Sequence, residues 1–243
     1  MLVTKEKLGR SLYHTLLPFY RQFPTNSPVS MFHLDIRGAY SPHDRFFYNR
    51  VPKAANSTVM RRLSDLSPYK RPFSSNAKNK FLRPSFMSSK EVGYLKSDQV
   101  FCFTMVRNPY ARILSAYRDK ILGGSVQGIR HFGSRVQIKP PTFREFCHFL
   151  NDGGLWLDAH WAPQVDLMLL PLDRFDFIGK VESIDHDLSA ISARVWGVAT
   201  PPAERIGRVT SADDGLEKDY TDECREIVSK LYEKDFEAFA YKA

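Results

Sequence analysis

Cysteine is scarce in this 243-residue chain: Cys102, Cys147 and Cys224 stand far apart, odd in number and without CxxC spacing. That excludes a zinc ribbon and a dithiol redox motif, and it fits a reducing, cytoplasmic setting. Long apolar runs are lacking too. None approaches the roughly 18 residues of a membrane-spanning helix. The opening MLVTKEKLGRSLYHTLLPFYRQF breaks its apolar residues with charges and a proline, unlike a signal peptide. GxxxxGK[ST] is absent, which excludes a Walker A loop. No constellation has metal-ligand spacing, so no metal is expected, and no solenoid-type repeat appears.

What the chain does have is material for a core. Apolar residues make up 43% and aromatics 13%, a composition of globular and not disordered chains. The length suits one domain over 1–243, with an N-terminal helix and loop (1–44) ahead of a core (45–243). Thirty-five Lys and Arg against 27 Asp and Glu leave a net charge of +8, which favours anionic ligands. The excess is concentrated between Arg61 and Lys90, where Arg61, Arg62, Lys70, Arg71, Lys78, Lys80, Arg83 and Lys90 face the single acid Asp65. This run is either a solvated basic loop or a surface for phosphates, an acidic glycan or nucleic acid.

Apolar periodicity organises the rest. Leu8, Leu12, Leu16, Leu17 and Phe19 predict an amphipathic helix over 4–23, ended by the Pro24–Pro28 turn cluster. Arg45–Val51 reads as a buried strand, Pro52–Thr58 as a tight loop of small and polar residues, and Val59–Leu66 as a helix. The same grammar returns in the apolar strand Gln99–Val106, the turn Arg107–Pro109 and a helix over Tyr110–Leu122, with Ile113, Leu114, Ala116 and Tyr117 on its apolar face. Residues 67–90 read as an irregular loop, and glycines 123, 124, 128 and 133 mark a flexible stretch. Thr142 and Glu145 form a capping-box pattern ahead of a helix to Leu150. A strand at Phe175–Gly179, a helix at Ile184–Val195, a loop over 197–219 and a helix over Asp222–Tyr241 complete the chain. Strands alternating with helices predict an α/β fold: a P-loop-like parallel sheet of four or five strands flanked by helices.

In such a sheet ligands bind beyond the carboxyl ends of the strands, where loops enter helices. Ala54, Ala55 and Ser57 are small enough for backbone N–H groups to approach an anion, and the following helix adds its positive end. Lys53 supplies a full charge, while the Ser57 and Thr58 hydroxyls can donate. Arg107, at the end of the second strand, carries a planar fork suited to phosphate. Asn108-Pro109 suits a helix start, and Arg112 and Ser115, three apart, share a helical face.

Two segments, Tyr48-Asn-Arg-Val-Pro-Lys-Ala-Ala-Asn-Ser-Thr58 and Val106-Arg-Asn-Pro-Tyr-Ala-Arg-Ile-Leu-Ser-Ala-Tyr-Arg118, resemble the 5′-phosphosulfate and 3′-phosphate signatures of the carbohydrate (Golgi-type, family 2) sulfotransferases. Asp158-Ala-His-Trp161 and Phe175-Asp-Phe-Ile-Gly-Lys-Val-Glu182 resemble later blocks of that family, so the likeness runs from about Arg45 to the C-terminus. It implies a nucleotide-kinase-like fold and transfer of the sulfuryl group of 3′-phosphoadenosine 5′-phosphosulfate (PAPS) to a hydroxyl of a glycan or glycolipid, releasing adenosine 3′,5′-bisphosphate. By the same resemblance, Lys53 contacts the bridging oxygen and the 5′-phosphate. Pro52, Ala54, Ala55, Asn56, Ser57 and Thr58 join it around the phosphosulfate, and Arg107 and Ser115 bind the 3′-phosphate. Two features depart from the family. Animal members carry an N-terminal membrane anchor not found here, which suggests a soluble, bacterial member, and some place a histidine base between the two motifs, where this sequence has none from 44 to 130.

The acceptor hydroxyl needs a group to take or orient its proton. The candidates are His160, His131, Asp158 and Glu182. His160 leads because it stands in the His-Trp pair of the resembling block and titrates near neutrality. Two other readings stay open: a P-loop-like nucleotide or small-molecule kinase, which would lack its Walker lysine and an obvious Mg²⁺-binding acid, and a non-enzymatic polyanion-binding protein using the 61–90 patch. No nucleic-acid partner is expected.

Overall fold

The computed structural model describes residues 2–69, 80–133, 138–199, 201–202 and 216–243. The chain opens with helices α1 (Leu2–Leu16), α2 (Pro18–Gln22) and α3 (Met31–Asp35), then strands β1 (Gly38–Ser41) and β2 (Phe46–Asn49). Helices α4 (Asn56–Leu66) and α5 (Ser89–Lys96) lead to β3 (Phe101–Val106), and α6 (Pro109–Ala116), α7 (Val126–Phe132) and α8 (Phe143–Phe149) lead to β4 (Phe177–Lys180). The chain ends in α9 (Ile184–Trp196), α10 (Leu216–Asp219), α11 (Asp222–Leu231) and α12 (Glu233–Ala238).

The strands form one sheet in the order β1-β2-β3-β4. β2, β3 and β4 run parallel, with Phe47 opposite Cys102 and Thr104 opposite Ile178, while β1 is an antiparallel edge. Alternation along the strands sorts their side chains to two faces. Phe47, Cys102 and Val106 join Phe19, Leu34 and Leu95 on one side. Phe46, Tyr48, Phe103 and Met105 meet Val59 and Leu63 of α4 and Leu188 and Ile191 of α9 on the other. Burying each of the fully enclosed phenylalanines contributes on the order of 2 kcal/mol. A third cluster, of α6, α8, α11 and α12, closes around Trp161, and there the Cys147 thiol lies within hydrogen-bonding reach of Cys224.

Several sequence expectations change. The N-terminal helix breaks at Pro18, and Leu8, Leu12 and Leu16 are exposed; the buried side belongs to Phe19, Tyr20 and Phe23. β1 was not foreseen, α5 begins at the end of the segment read as irregular, and α7 lies inside the stretch read as flexible. The C-terminal helix is two helices meeting at Tyr232, and part of the 197–219 loop is α10. Lys70, Arg71 and Lys78 lie outside the described residues. No described helix is long and apolar enough to cross a membrane.

Candidate active site

Parallel pairing of β2 with β3, which sets Asn49 opposite Thr104, brings the two loop-bearing strand ends side by side. The first loop turns tightly because Lys53 and Ala55 both adopt left-handed backbone angles, φ 66° and 52°. Each such residue costs about 1 kcal/mol or more when it is not glycine, a strain typical of functional turns. Between them the Ala54 N–H donates to the Val51 carbonyl at 3.3 Å, and left-handed residues in such a turn are a backbone arrangement suited to anions. α4 starts from Ala55 without a side-chain cap, whereas α5, α6 and α8 are capped by Ser88, Asn108 and Thr142. The first amides of α4 therefore face the loop.

The second loop interlocks with the first. A guanidinium nitrogen of Arg107 donates to the Lys53 carbonyl at 3.4 Å. The Arg107 backbone is held by Gln164, which accepts from its N–H at 3.0 Å and donates to its carbonyl at 2.9 Å. Ser115 is buried on α6. Arg112, on the same helix, is fully buried and donates to the carbonyls of Pro52 (3.0 Å), Ala162 (2.8 Å) and Ala159 (3.2 Å). It is thus a strut between the Lys53 loop and the turn that carries His160.

On that turn His160 Nδ1 lies 2.6 Å from Asp158 Oδ1, with 22% and 6% of their side chains exposed. The same carboxylate accepts the His160 backbone N–H. Burial lowers the His160 pKa, helped by the charges of Lys120 and Arg37 and opposed by Asp158. The Asp158 carboxyl is held below its usual range: burial opposes ionisation, but the hydrogen bonds and charge of His160 prevail. The neighbouring Trp161 is fully buried, its Nε1 donating to the Gly154 carbonyl, and anchors the turn.

The other base candidates have different surroundings, although the Asp158 charge also reaches His131. The His131 ring packs edge-on against Trp161 with its Nε2 enclosed and without a hydrogen-bond partner among the described residues. Glu182 accepts from the Asn108 N–H and from the Tyr241 hydroxyl, each at 2.8 Å.

Three charged residues at this site escaped the sequence reading. Lys53 Nζ lies 3.1 Å from Asp119 Oδ2, and Lys120 Nζ reaches the same oxygen at 3.1 Å. Burial lowers the Lys53 pKa, with Asp119 opposing. Arg37 donates from Nε to the His33 carbonyl at 3.1 Å. Burial, and then the charge of Arg50, pushes its pKa down to about 9 against the pull of Asp158. Asp119 and Lys120 belong to a π-helical turn, Tyr117–Leu122, that continues α6. α-Helical periodicity gives no sign of such a turn; the only cue was the charge in Arg118-Asp-Lys120.

Residues 38–242 match the model of a family described as the sulfotransferase family. Carbohydrate sulfotransferase 14 of Danio rerio is 31% identical over 173 residues, 62% of this chain and 46% of that protein. Carbohydrate sulfotransferase 12 of Xenopus laevis is 26% identical over 191 residues, 67% of this chain and 45% of that protein. Carbohydrate sulfotransferase 10 of Homo sapiens is 24% identical over 256 residues, 90% of this chain and 70% of that protein. The chain spans about half the length of the first two. No solved structure matches it.

Proposed function

The chain belongs to the sulfotransferase family, and from that premise we propose that it transfers the sulfuryl group of PAPS to a carbohydrate hydroxyl. The observation that carries this reading is the joining of Lys53, Arg107 and the Asp158–His160 pair beyond the ends of β2 and β3, through the Arg107–Lys53 hydrogen bond and those of Arg112 to Pro52 and Ala159.

In the proposed reaction the acceptor oxygen attacks sulfur in line, its new S–O bond forming as the bond to the 5′-phosphate oxygen breaks. The electron pair moves onto that phosphate oxygen, where Lys53 and the amides of residues 55–58 stabilise the charge, the Ala54 N–H being spent on the Val51 carbonyl. Arg107 and Ser115 hold the 3′-phosphate. Asp158 accepts the Nδ1 proton of His160, which leaves Nε2 as the nitrogen that takes the acceptor proton. Asp158 orients His160, and Glu182, engaged by Asn108 and Tyr241, secures the start of α6. Most of the acceleration comes from positioning and electrostatics.

Calorimetry with adenosine 3′,5′-bisphosphate and with ADP, alongside transfer from radiolabelled PAPS to chondroitin and to neutral glycans, tests the proposal. Tight binding of the bisphosphate, weak binding of ADP and label in a glycan are expected. Preference for ADP would favour a kinase, and glycan binding without transfer would favour a polyanion-binding protein.

A further inference from the structure

The π-helical turn that follows α6 is anchored from outside. Ser125 Oγ donates to the Lys120 carbonyl at 2.9 Å, and α7 packs so closely on that carbonyl that a Cβ at Gly128 would stand 2.4 Å from it. In an α-helix adjacent residues point about 100° apart. Here Asp119 and its neighbour Lys120 close an ion pair, and Lys53 arrives from the phosphate loop onto the same carboxylate oxygen. The side chains of Lys53, Asp119 and Lys120 are only 12%, 17% and 17% exposed. Such burial makes each charge more effective than it would be in water. π-Helical turns recur at functional sites.

We propose that Lys120 is a second catalytic cation, facing the non-bridging oxygens of the sulfuryl group between the donor phosphate and the acceptor hydroxyl, with Asp119 positioning both lysines. The assignment rests on the sulfuryl-transfer reading above. The Lys120 charge acts on both Lys53 and His160, the groups assigned to the leaving and attacking oxygens. As the acceptor O–S bond forms and the S–O bond to phosphate breaks, the Lys120 ammonium faces the charge on the sulfuryl oxygens between them. Asp119 keeps the two ammonium groups, which would otherwise repel, converging on one point.

The experiment compares Lys120→Ala and Lys120→Arg with wild type, using PAPS and chondroitin for turnover and adenosine 3′,5′-bisphosphate for calorimetry. Because the bisphosphate lacks the sulfuryl group, its Kd should stay within about twofold in both variants. Turnover should fall about 10²-fold in Lys120→Ala and recover to within about tenfold of wild type in Lys120→Arg. The acidic limb of the rate profile should move to higher pH in Lys120→Ala. Among the charged groups facing His160, Asp158 on its own turn and Arg37 ahead of β1 remain, and the cation that lowers its pKa from the π turn is gone. Near-normal turnover, an unmoved limb, or equal loss of bisphosphate binding and turnover would each overturn the assignment. A wild-type protein that neither binds the bisphosphate nor consumes PAPS would instead overturn the sulfuryl-transfer reading itself.

Discussion

Lys53 and His160 are both pulled toward their neutral forms by burial, and each is opposed by its own carboxylate, Asp119 for the lysine and Asp158 for the histidine. The consequences differ, because the proposed chemistry needs the lysine charged and the histidine neutral. Lys53→Ala should lower turnover by about 10²- to 10³-fold, the worth of one donor at a developing charge, with an unchanged melting temperature as the control for folding. With the His160 pKa below its ordinary value near 6.5, the rising limb of turnover lies below that pH. Asp158→Asn removes the group that raises the pKa, so the limb should move further down, and the plateau should drop as the imidazole loses its orientation. An upward move of the limb would reassign the base. The placement of Lys53 and Arg107 just past two parallel strands was legible from the sequence because each follows an apolar run. The roles of Arg112 and Gln164 were not: both act on backbone carbonyls or amides distant in sequence, and spacing along the chain carries no trace of such contacts.

Periodicity exposed the elements with long apolar patterns, β2, β3, α4, α6, α8 and α9, and the Thr142 capping box is formed in full. It missed β1, four residues beginning with a glycine whose missing side chain lets Pro84 pack close. It also missed α7, where Gly128 marks tight packing instead of flexibility. Gly128→Ala should displace the Lys120 backbone and lower turnover more than bisphosphate affinity, since the π turn contacts the site through Asp119 and Lys120. The loop between β2 and α4 allows the opposite experiment. Ala55 sits at φ 52°, where glycine has no steric penalty, so Ala55→Gly should stabilise the fold by about 0.5 to 1 kcal/mol. Arg112→Met should do the reverse. It leaves the carbonyls of Pro52, Ala159 and Ala162 buried without their donor, a loss of about 3 kcal/mol or more. Thermal melts check both stability changes, and calorimetry should show the second variant losing bisphosphate affinity as its loop comes adrift from the His160 turn.

At the scale of the whole molecule, the net charge of +8 is distributed for more than one purpose. Within the basic run, Arg61 pairs with Asp65, Arg62 donates to the Pro201 carbonyl, and Lys80 closes the end of α4 on the carbonyls of Ser64 and Ser67. The charge of Arg83 acts on Arg37 and Arg50, and that of Arg37 on His160. An acidic glycan approaching this group meets the half-buried Arg83 ahead of the more deeply buried Arg50, whereas the donor phosphates are proposed to bind in the loop between β2 and α4. Salt screens the first far more than the second, because raising it from about 0.1 M to about 1 M shortens the screening length from about 10 Å to about 3 Å. The KM for chondroitin should therefore rise on the order of tenfold over that range, and the KM for PAPS by a much smaller factor. Arg83→Ala should raise the chondroitin KM at low salt and flatten its salt response, leaving turnover at saturation intact, because Arg83 acts on approach and not on the reacting atoms. If both KM values climb together, the positive field serves the donor, and the acceptor is then expected to be a neutral sugar. A neutral glycan sulfated as efficiently as chondroitin, with a salt-independent KM, would lead to the same conclusion.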